Sequence, residues 1–438
     1  MSKSSVLDND HEKASKVLKP LDAINSSKSW LLPLVLIPHL LVAAYLGGKF
    51  IEYPDQGAYL SGAENLLAGN GLSLPFDALG GFIRKGEPTS YYGLGAPLVY
   101  AAQIALFGRN FFVLRLGNIL LFAASLFFFR GICRHWMSER WANLAMVAMG
   151  LSPFYIAFNQ LFLSEMPFLF CELGTFFFLF GYFKRGATRD LILSAVFAAL
   201  SLLVRTNLLL FLPVIAIVIT FSRKWSYALL YLGIAALVVS PYCIRNSINS
   251  HAFFPFDGKA ALNLWQFNSD IHQGGFWSET FEQAPPMPNL EGLTEKQRSD
   301  LLMSLGVKWI KEHPAAFLRL AAMKAVRFFS PLPQKQANLK YAPVLTPYSL
   351  AIVCGFLLGL PAFWSREPKS LLILLLFLYT LTIEVVFMTA TRHRILFDPF
   401  FLLVGFNYVA SRKPFRVGRR WREQFATPHL SDAGPARP

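Results

Sequence analysis

Long apolar runs alternate with short polar joints along most of the chain. Runs long enough to span a membrane fall at about 29–47, 111–131, 141–158, 166–183, 190–204, 207–222, 226–244, 346–364, 369–389 and 394–410. A crossing helix needs about 20 apolar residues, and several of these runs sit at the short end of the range. Two polar stretches interrupt the series, at about 49–110 and 245–344. The pattern predicts an all-α polytopic membrane protein of about ten transmembrane helices, with two large outer loops that carry juxtamembrane helices.

Charge settles how one further apolar segment, Gly95–Phe107, is read. Basic residues gather in tight joints at Arg130/Arg134/Arg140, Lys184/Arg185/Arg189, Arg223/Lys224 and Arg366/Lys369, and in both terminal tails. All of these fall on one side of the membrane only if Gly95–Phe107 lies along the surface rather than crossing. The organisation expected is then a cytoplasmic basic tail over 1–28, a membrane domain over 29–410 and a second cytoplasmic basic tail over 411–438. The first run is followed by no small-residue cleavage site and reads as a retained span. In the second loop, Glu291-Gly-Leu-Thr-Glu-Lys resembles a helix start. Ala315–Phe329 reads as a surface helix with Phe317, Leu320, Ala321 and Phe328 on its apolar face and Arg319, Lys324 and Arg327 at the flanks.

Composition adds two exclusions. The net charge of +15 would suit nucleic acid, but its placement in joints and tails follows membrane topology rather than a phosphate-tracking face. Only 15% of the 438 residues are charged, against about 25% in soluble domains. The four cysteines lie in or beside apolar runs without a C-x-x-C pair, which argues against a disulfide or zinc framework. No P-loop, H-E-x-x-H or G-x-S-x-G occurs, which argues against nucleotide-driven transport, zinc proteolysis and serine hydrolysis.

The candidate chemistry sits at the outer junctions. Asp55 follows the first run, in Glu52-Tyr53-Pro54-Asp55-Gln56-Gly57-Ala58-Tyr59, where Pro54 and Gly57 suggest a turn that presents a carboxylate. Glu165 lies between two runs beside Pro167, and Glu172 lies further into the next run. Glu87, next to Lys85 and Pro88, is a candidate ligand for a divalent cation. Outward-facing cations oppose the positive-inside bias, so Arg205, Arg245 and the Arg392-His393-Arg394 cluster are candidates for a phosphate or diphosphate. Each also has an ordinary reading: a helix-start acid, a loop acid, or an arginine reaching to lipid headgroups.

Taken in order, these segments resemble the GT-C superfamily of integral-membrane glycosyltransferases, of the protein O-mannosyltransferase and lipid A aminoarabinose transferase type. Asp55-Gln56-Gly57-Ala58-Tyr59 resembles its first-loop Asp motif, and Glu87-Pro88 with Tyr91-Tyr92 the lead into its juxtamembrane helix. Phe107-Gly108 and Arg115-Leu116-Gly117-Asn118 resemble the start of its next span, and Leu163-Ser164-Glu165 its second-loop acidic position. Pro241-Tyr242-x-x-Arg245-Asn246, Trp309-Ile310-Lys311-Glu312-His313-Pro314, Leu318-Arg319-Leu320 with Lys324, and Arg392-His393-Arg394 resemble its later motifs. One departure is Gln56, where the family often carries a second acid.

The resemblance implies transfer of a sugar from a polyprenyl-phosphate carrier to an acceptor hydroxyl at the outer face of a membrane, with inversion at the anomeric carbon. Asp55 is the implied general base, with Glu165 as a second acid. Arg245, Arg392, Arg394, Arg205 and Lys85 are the implied phosphate ligands, with a divalent ion near Glu87 as the one implied cofactor. The expected partners are the lipid-linked sugar, an acceptor that is lipid, glycan or protein, and membrane lipids, with no nucleic acid. Absence of N-x-S/T sequons from the outer loops points to a bacterial inner membrane. A flippase for the lipid-linked sugar and a non-catalytic assembly subunit are the competing readings. The first would call for broken or charged helices near the bilayer midplane, the second for an Asp55 that tolerates substitution.

Overall fold

The computed structural model describes residues 30–53, 55–271, 285–332, 341–365 and 367–412. The two terminal basic tails, apart from Ser411 and Arg412, and parts of the second loop lie outside the described residues. The chain runs through α1 (Leu31–Leu46), α2 (Gln56–Leu67), a 3-10 turn (Leu79–Gly81), α3 (Gly95–Phe107), α4 (Phe111–Cys133), α5 (Glu139–Gly150), α6 (Pro153–Phe158), α7 (Glu165–Arg185) and α8 (Thr188–Val204). A second 3-10 turn (Thr206–Phe211) leads to α9 (Leu212–Ser222) and α10 (Trp225–Asn249). Then come α11 (Lys259–Gln266), α12 (Glu295–Glu312), α13 (Pro314–Phe329), α14 (Ala342–Phe363), α15 (Pro368–Val386) and α16 (Thr391–Ser411). Among the described residues there is no strand, only isolated bridges at Ser73–Pro88 and Ala78–Ile83.

Among the described residues six helices, α4, α7, α10, α14, α15 and α16, have the length and apolar composition to cross a membrane. The other four predicted runs form shorter pieces. α1 has 16 residues and α8 has 17. The run at 207–222 opens as a 3-10 turn before α9. The run at 141–158 is not one helix: it breaks into α5 and α6 at Ser152-Pro153, because Pro153 has no N–H to continue the ladder and is suited to a first helical turn. Gly95–Phe107 is a 13-residue helix, too short for a hydrocarbon core of about 30 Å. Large apolar side chains point outward around the bundle, among them Leu120 (71% exposed), Phe221 (89%) and Leu237 (72%). Such surface suits acyl chains, and the chain is an integral membrane protein.

The interior is aromatic. Phe356, Phe377, Phe397 and Phe401 interlock between α14, α15 and α16, with the Phe356 and Phe401 rings stacked 4.0 Å apart. α14 and α16 meet through Gly355, Gly359 and Gly405, and a Cβ on Gly359 would lie 2.6 Å from the Val404 carbonyl oxygen. Phe122, Phe129 and Phe162 are likewise fully buried.

The second loop folds back over the first. α12 starts at a capping box in which the Thr294 hydroxyl accepts from Gln297 N and the Gln297 side chain accepts from Thr294 N. Its Glu295 carboxylate accepts from the Ser90 amide (3.1 Å) and hydroxyl (2.8 Å). Its Arg298 donates to the Phe82 carbonyl at 2.8 Å and pairs with Glu87. α13 follows as expected, but its buried face is Leu320, Lys324 and Phe328. Lys324 is thus not a flank residue: its ammonium donates to Asn268 Oδ1 (3.0 Å) and to the Phe387 carbonyl (3.1 Å) at the C-terminal end of α15, where a helix dipole favours a cation.

Candidate active site

Four segments far apart in sequence meet at one end of the bundle: the start of α2, the start of α7, the joint after α8 and the start of α16. The loop before α7 is held by side chains of α3 and α4. Tyr100 OH donates to the Leu163 carbonyl at 2.6 Å, and Asn118 Nδ2 to the Leu161 carbonyl at 2.9 Å. Arg115 is fully buried, donates to the carbonyls of Gly47 (2.5 Å), Lys49 and Gln160 (3.3 Å), and lies over the Phe162 ring. These contacts give Arg115 and Asn118 a physical reason to stand one turn apart. Gln56 completes the frame, donating to the Ile51 carbonyl (2.6 Å) and accepting from the Phe162 amide (2.8 Å). An acid there would lose the first of these bonds, so Gln56 does not serve as a second carboxylate.

Asp55 caps α2 with left-handed backbone, φ 72°, and makes no side-chain cap bond. That geometry costs a non-glycine residue roughly 1–2 kcal/mol, less for Asp than for most. It turns the carboxylate away from the helix toward Arg392 and Tyr92. Oδ2 accepts from Arg392 Nη1 at 2.9 Å and Oδ1 from Tyr92 OH at 3.3 Å. Arg392 Nε donates to Glu165 Oε1, which also accepts from Arg205 Nη2 at 3.1 Å. Arg205 Nε donates to Ser164 Oγ (2.8 Å), which also takes the Tyr59 hydroxyl (2.9 Å). One guanidinium thus bridges Asp55 and Glu165. Glu165 Oε2 and Arg392 Nη2 are buried and have no hydrogen-bond partner among the described residues.

A cavity of about 190 Å³ opens beside this cluster. Tyr59, Tyr91, Tyr92, Arg205, Asp257 and Lys259 form one part of its wall, and Tyr379, Glu384, Phe387 and His393 another. Tight packing sets the tyrosines: a Cβ on Gly95 would lie 2.5 Å from a Val204 methyl, and one on Gly93 2.8 Å from the Val204 carbonyl oxygen. These glycines are close-approach points that press the Tyr91-Tyr92 turn against the end of α8.

Electrostatics differ around the wall. Burial raises the Asp55 carboxyl, but Arg392 and then Lys259 outweigh it, so the group sits below the usual carboxylate value and is ionised. Burial pushes the Tyr59 phenol up to about 12 and raises Asp257, whose oxygens accept from the Thr206 hydroxyl (3.0 Å) and the Lys259 amide (3.1 Å). Burial also lowers the Lys259 ammonium to about 8. Its Nζ lies 5.4 Å from the Tyr91 ring centroid, and the group has no carboxylate within ion-pair distance among the described residues.

The remaining sequence candidates lie elsewhere. Arg245 donates to the carbonyls of Thr89 and Leu72, each at 2.9 Å, clamping the first loop to the end of α10. Arg394 is buried against Asp398 (3.2 Å), Ser349 and the Ser330 carbonyl (2.8 Å). Lys85 is an exposed loop residue. Glu172 is buried below the cavity, facing a small recess that Glu384 and His393 also line. Glu87 is spent on Arg298 and Arg84. Among the described residues no group of three His, Cys, Asp or Glu side chains could hold a metal ion. Three charged cavity residues were not singled out from sequence. Lys259 follows an Asp-Gly turn of ordinary appearance, Asp257 is part of that turn, and Glu384 was visible as a lone acid in an apolar run.

Residues 93–244, about a third of the chain, match the family model of dolichyl-phosphate-mannose-protein mannosyltransferase. The fold is similar to the archaeal oligosaccharyltransferase AglB from Archaeoglobus fulgidus, solved with an inhibitory peptide and a dolichol-phosphate: TM-score 0.54, 12% identity, over 88% of this chain and 50% of that one. The chain spans about half the length of AglB. ArnT from Cupriavidus metallidurans aligns with TM-score 0.43 and 13% identity bound to undecaprenyl phosphate, and 0.42 and 15% in the apo state. Each ArnT alignment covers 88% of this chain and 78% of ArnT. No curated protein matches. The fold class is that of a GT-C-like membrane protein. The family match supports the resemblance read from the sequence, to glycosyltransferases of the mannosyltransferase and aminoarabinose transferase type.

Proposed function

We propose that this protein transfers a sugar from a polyprenyl-phosphate-linked donor to an acceptor hydroxyl, at the outer face of a bacterial inner membrane with both termini cytoplasmic. One observation carries the reading: Asp55 and Glu165 converge on Arg392 beside a tyrosine-lined cavity that also presents Arg205 and Lys259. Carboxylates and tyrosines suit a sugar, and a buried cation such as Lys259, with no carboxylate at ion-pair distance among the described residues, suits a phosphate. The family description supplies the same pairing of a prenyl-phosphate carrier with a sugar.

In this mechanism the acceptor oxygen attacks the anomeric carbon from the Asp55 side and its proton passes to Asp55. The bond from that carbon to the carrier phosphate oxygen breaks, and the electron pair leaves with the phosphate. Asp55, held down by Arg392 and Lys259, is a weak base. It serves because an oxocarbenium-like displacement releases the proton late. Arg205 and Lys259 balance the charge that builds on the phosphate, and Glu165 positions Arg205 and Arg392. A single displacement inverts the anomeric centre. Arg245 and Arg394 have their donors committed elsewhere, so the phosphate is assigned to the cavity cations. Purified protein in liposomes, given polyprenyl-phosphate-linked sugars and hydroxyl acceptors, should release free polyprenyl phosphate and yield product of inverted configuration by NMR. Intact lipid-linked sugar moving between leaflets with no release would replace this reading with a flippase.

A further inference from the structure

We propose that His393 is the general acid that protonates the departing carrier phosphate and that Glu384 positions it; this assignment rests on the transferase reading. The sequence presents Arg392-His393-Arg394 as one basic cluster, but the first turn of α16 takes it apart. Successive helical residues project about 100° apart. Arg392 therefore reaches Asp55 and Glu165, Arg394 enters the core, and His393 turns to the cavity wall formed with the end of α15.

His393 Nδ1 is in hydrogen-bond geometry with the Met388 carbonyl oxygen (3.4 Å) and at ion-pair distance from Glu384 Oε1 (3.3 Å). Both neighbours can only accept, which suits a ring proton on Nδ1. Nε2, which has no partner among the described residues, is then the nitrogen available to the cavity. Glu384 is itself immobile: it is 4% exposed, its second oxygen accepts from the Ala390 amide at 3.4 Å, and the Thr389 hydroxyl ties down its carbonyl at 3.0 Å. A buried carboxylate beside Nδ1–H orients the ring, so that the opposite nitrogen is the one that can hand a proton to a group in the cavity. Arg205 and Lys259 line the same cavity and supply charge to a phosphate, which brings a leaving phosphate oxygen within the space that His393 borders.

The step balances. As the bond from the anomeric carbon to the phosphate oxygen breaks, its electron pair goes to that oxygen, and the Nε2 proton of the imidazolium follows. His393 is left neutral. The acceptor proton held by Asp55 returns to water, and His393 regains a proton from water, so no net proton is consumed.

The experiment measures release of polyprenyl phosphate from a polyprenyl-phosphate-linked sugar by full-length wild type, H393A, H393Q, E384Q and E384D. Thermal melting in detergent is followed in parallel. The assignment predicts a kcat loss of about 10²–10⁴-fold in H393A and H393Q, with donor KM nearly unchanged. Added imidazole should restore H393A by roughly tenfold or more, which a purely structural role would not allow. E384Q should lose less than H393A, and E384D should recover part of the E384Q loss. Wild-type turnover in H393Q overturns the proposal. So does an H393A that melts like wild type, has lost turnover, and gains nothing from imidazole. If wild type itself releases no carrier phosphate, the transferase reading falls and this role falls with it; if wild type turns over beside an equally active H393Q, only this role falls.

Discussion

Arg392 and Arg394 stand two residues apart on one helix, each paired with carboxylate, and they do different work. Arg394 is 0% exposed, and its Nε, Nη1 and Nη2 are all committed, to Asp398, to two carbonyls and to Ser349. It bolts α16 to α14 and to the end of α13. Arg392 joins acids from two other segments and keeps Nη2 without a partner, as Glu165 keeps Oε2. Asp398 Oδ2 is left over as well, so what sets the Arg392 pair apart is a spare donor beside a spare acceptor, next to the cavity, where they have capacity for a ligand; the Arg394 pair, with every guanidinium nitrogen committed, is a tertiary joint.

This difference can be tested by removing each side in turn. R394M leaves Asp398 buried without its cation and should cost about 3–5 kcal/mol of stability, read as a lowered melting temperature in detergent. Removing both charges, in R394M with D398L, should return most of that loss; a double variant as unstable as the single one would show that the pair is more than a joint. At the cavity, Lys259 is a cation with no carboxylate at ion-pair distance among the described residues, so its charge is available to a donor phosphate. Burial lowers its ammonium to about 8, so the positive charge is present below that pH and lost above it. Donor KM should therefore rise on the order of tenfold as pH passes through about 8, and K259R should carry tight binding to higher pH. A KM that ignores pH in wild type would remove Lys259 from the phosphate. The smallest effect belongs to Lys85, exposed on its loop: K85A should stay within about 0.5 kcal/mol of wild type in stability and keep its turnover. A large loss of turnover there would move the phosphate out to the Gly86 turn.

How far the sequence foretold this site depends on what each inference needed. Membrane-length apolar runs and helix-end acids depend on local pattern, so the helical bundle, the helix starting near Glu295, and Asp55 and Glu165 as residues of interest were all legible. What stayed hidden depends on where a side chain's donors end up. Arg245, Arg205 and Arg392 look alike as outward arginines, yet Arg245 spends its guanidinium on the carbonyls of Thr89 and Leu72. The pairing of Glu87 with Arg298, more than two hundred residues later, could not be seen either. Arg392-His393-Arg394 read as one patch because linear adjacency hides the helical turn that separates the three. Lys324 was placed at a helix flank by its charge, whereas the carbonyls at the end of α15 draw it into the buried face.

The measurement that most directly tests the account is carrier-phosphate release by D55N beside wild type, each checked for equal expression and melting temperature. Asparagine keeps the size and shape of Asp55 but cannot take a proton, and it removes one of the two charges on Arg392. The account predicts that release falls by about 10²–10⁴-fold while the protein folds as before. Release at the wild-type rate from a folded D55N would contradict it.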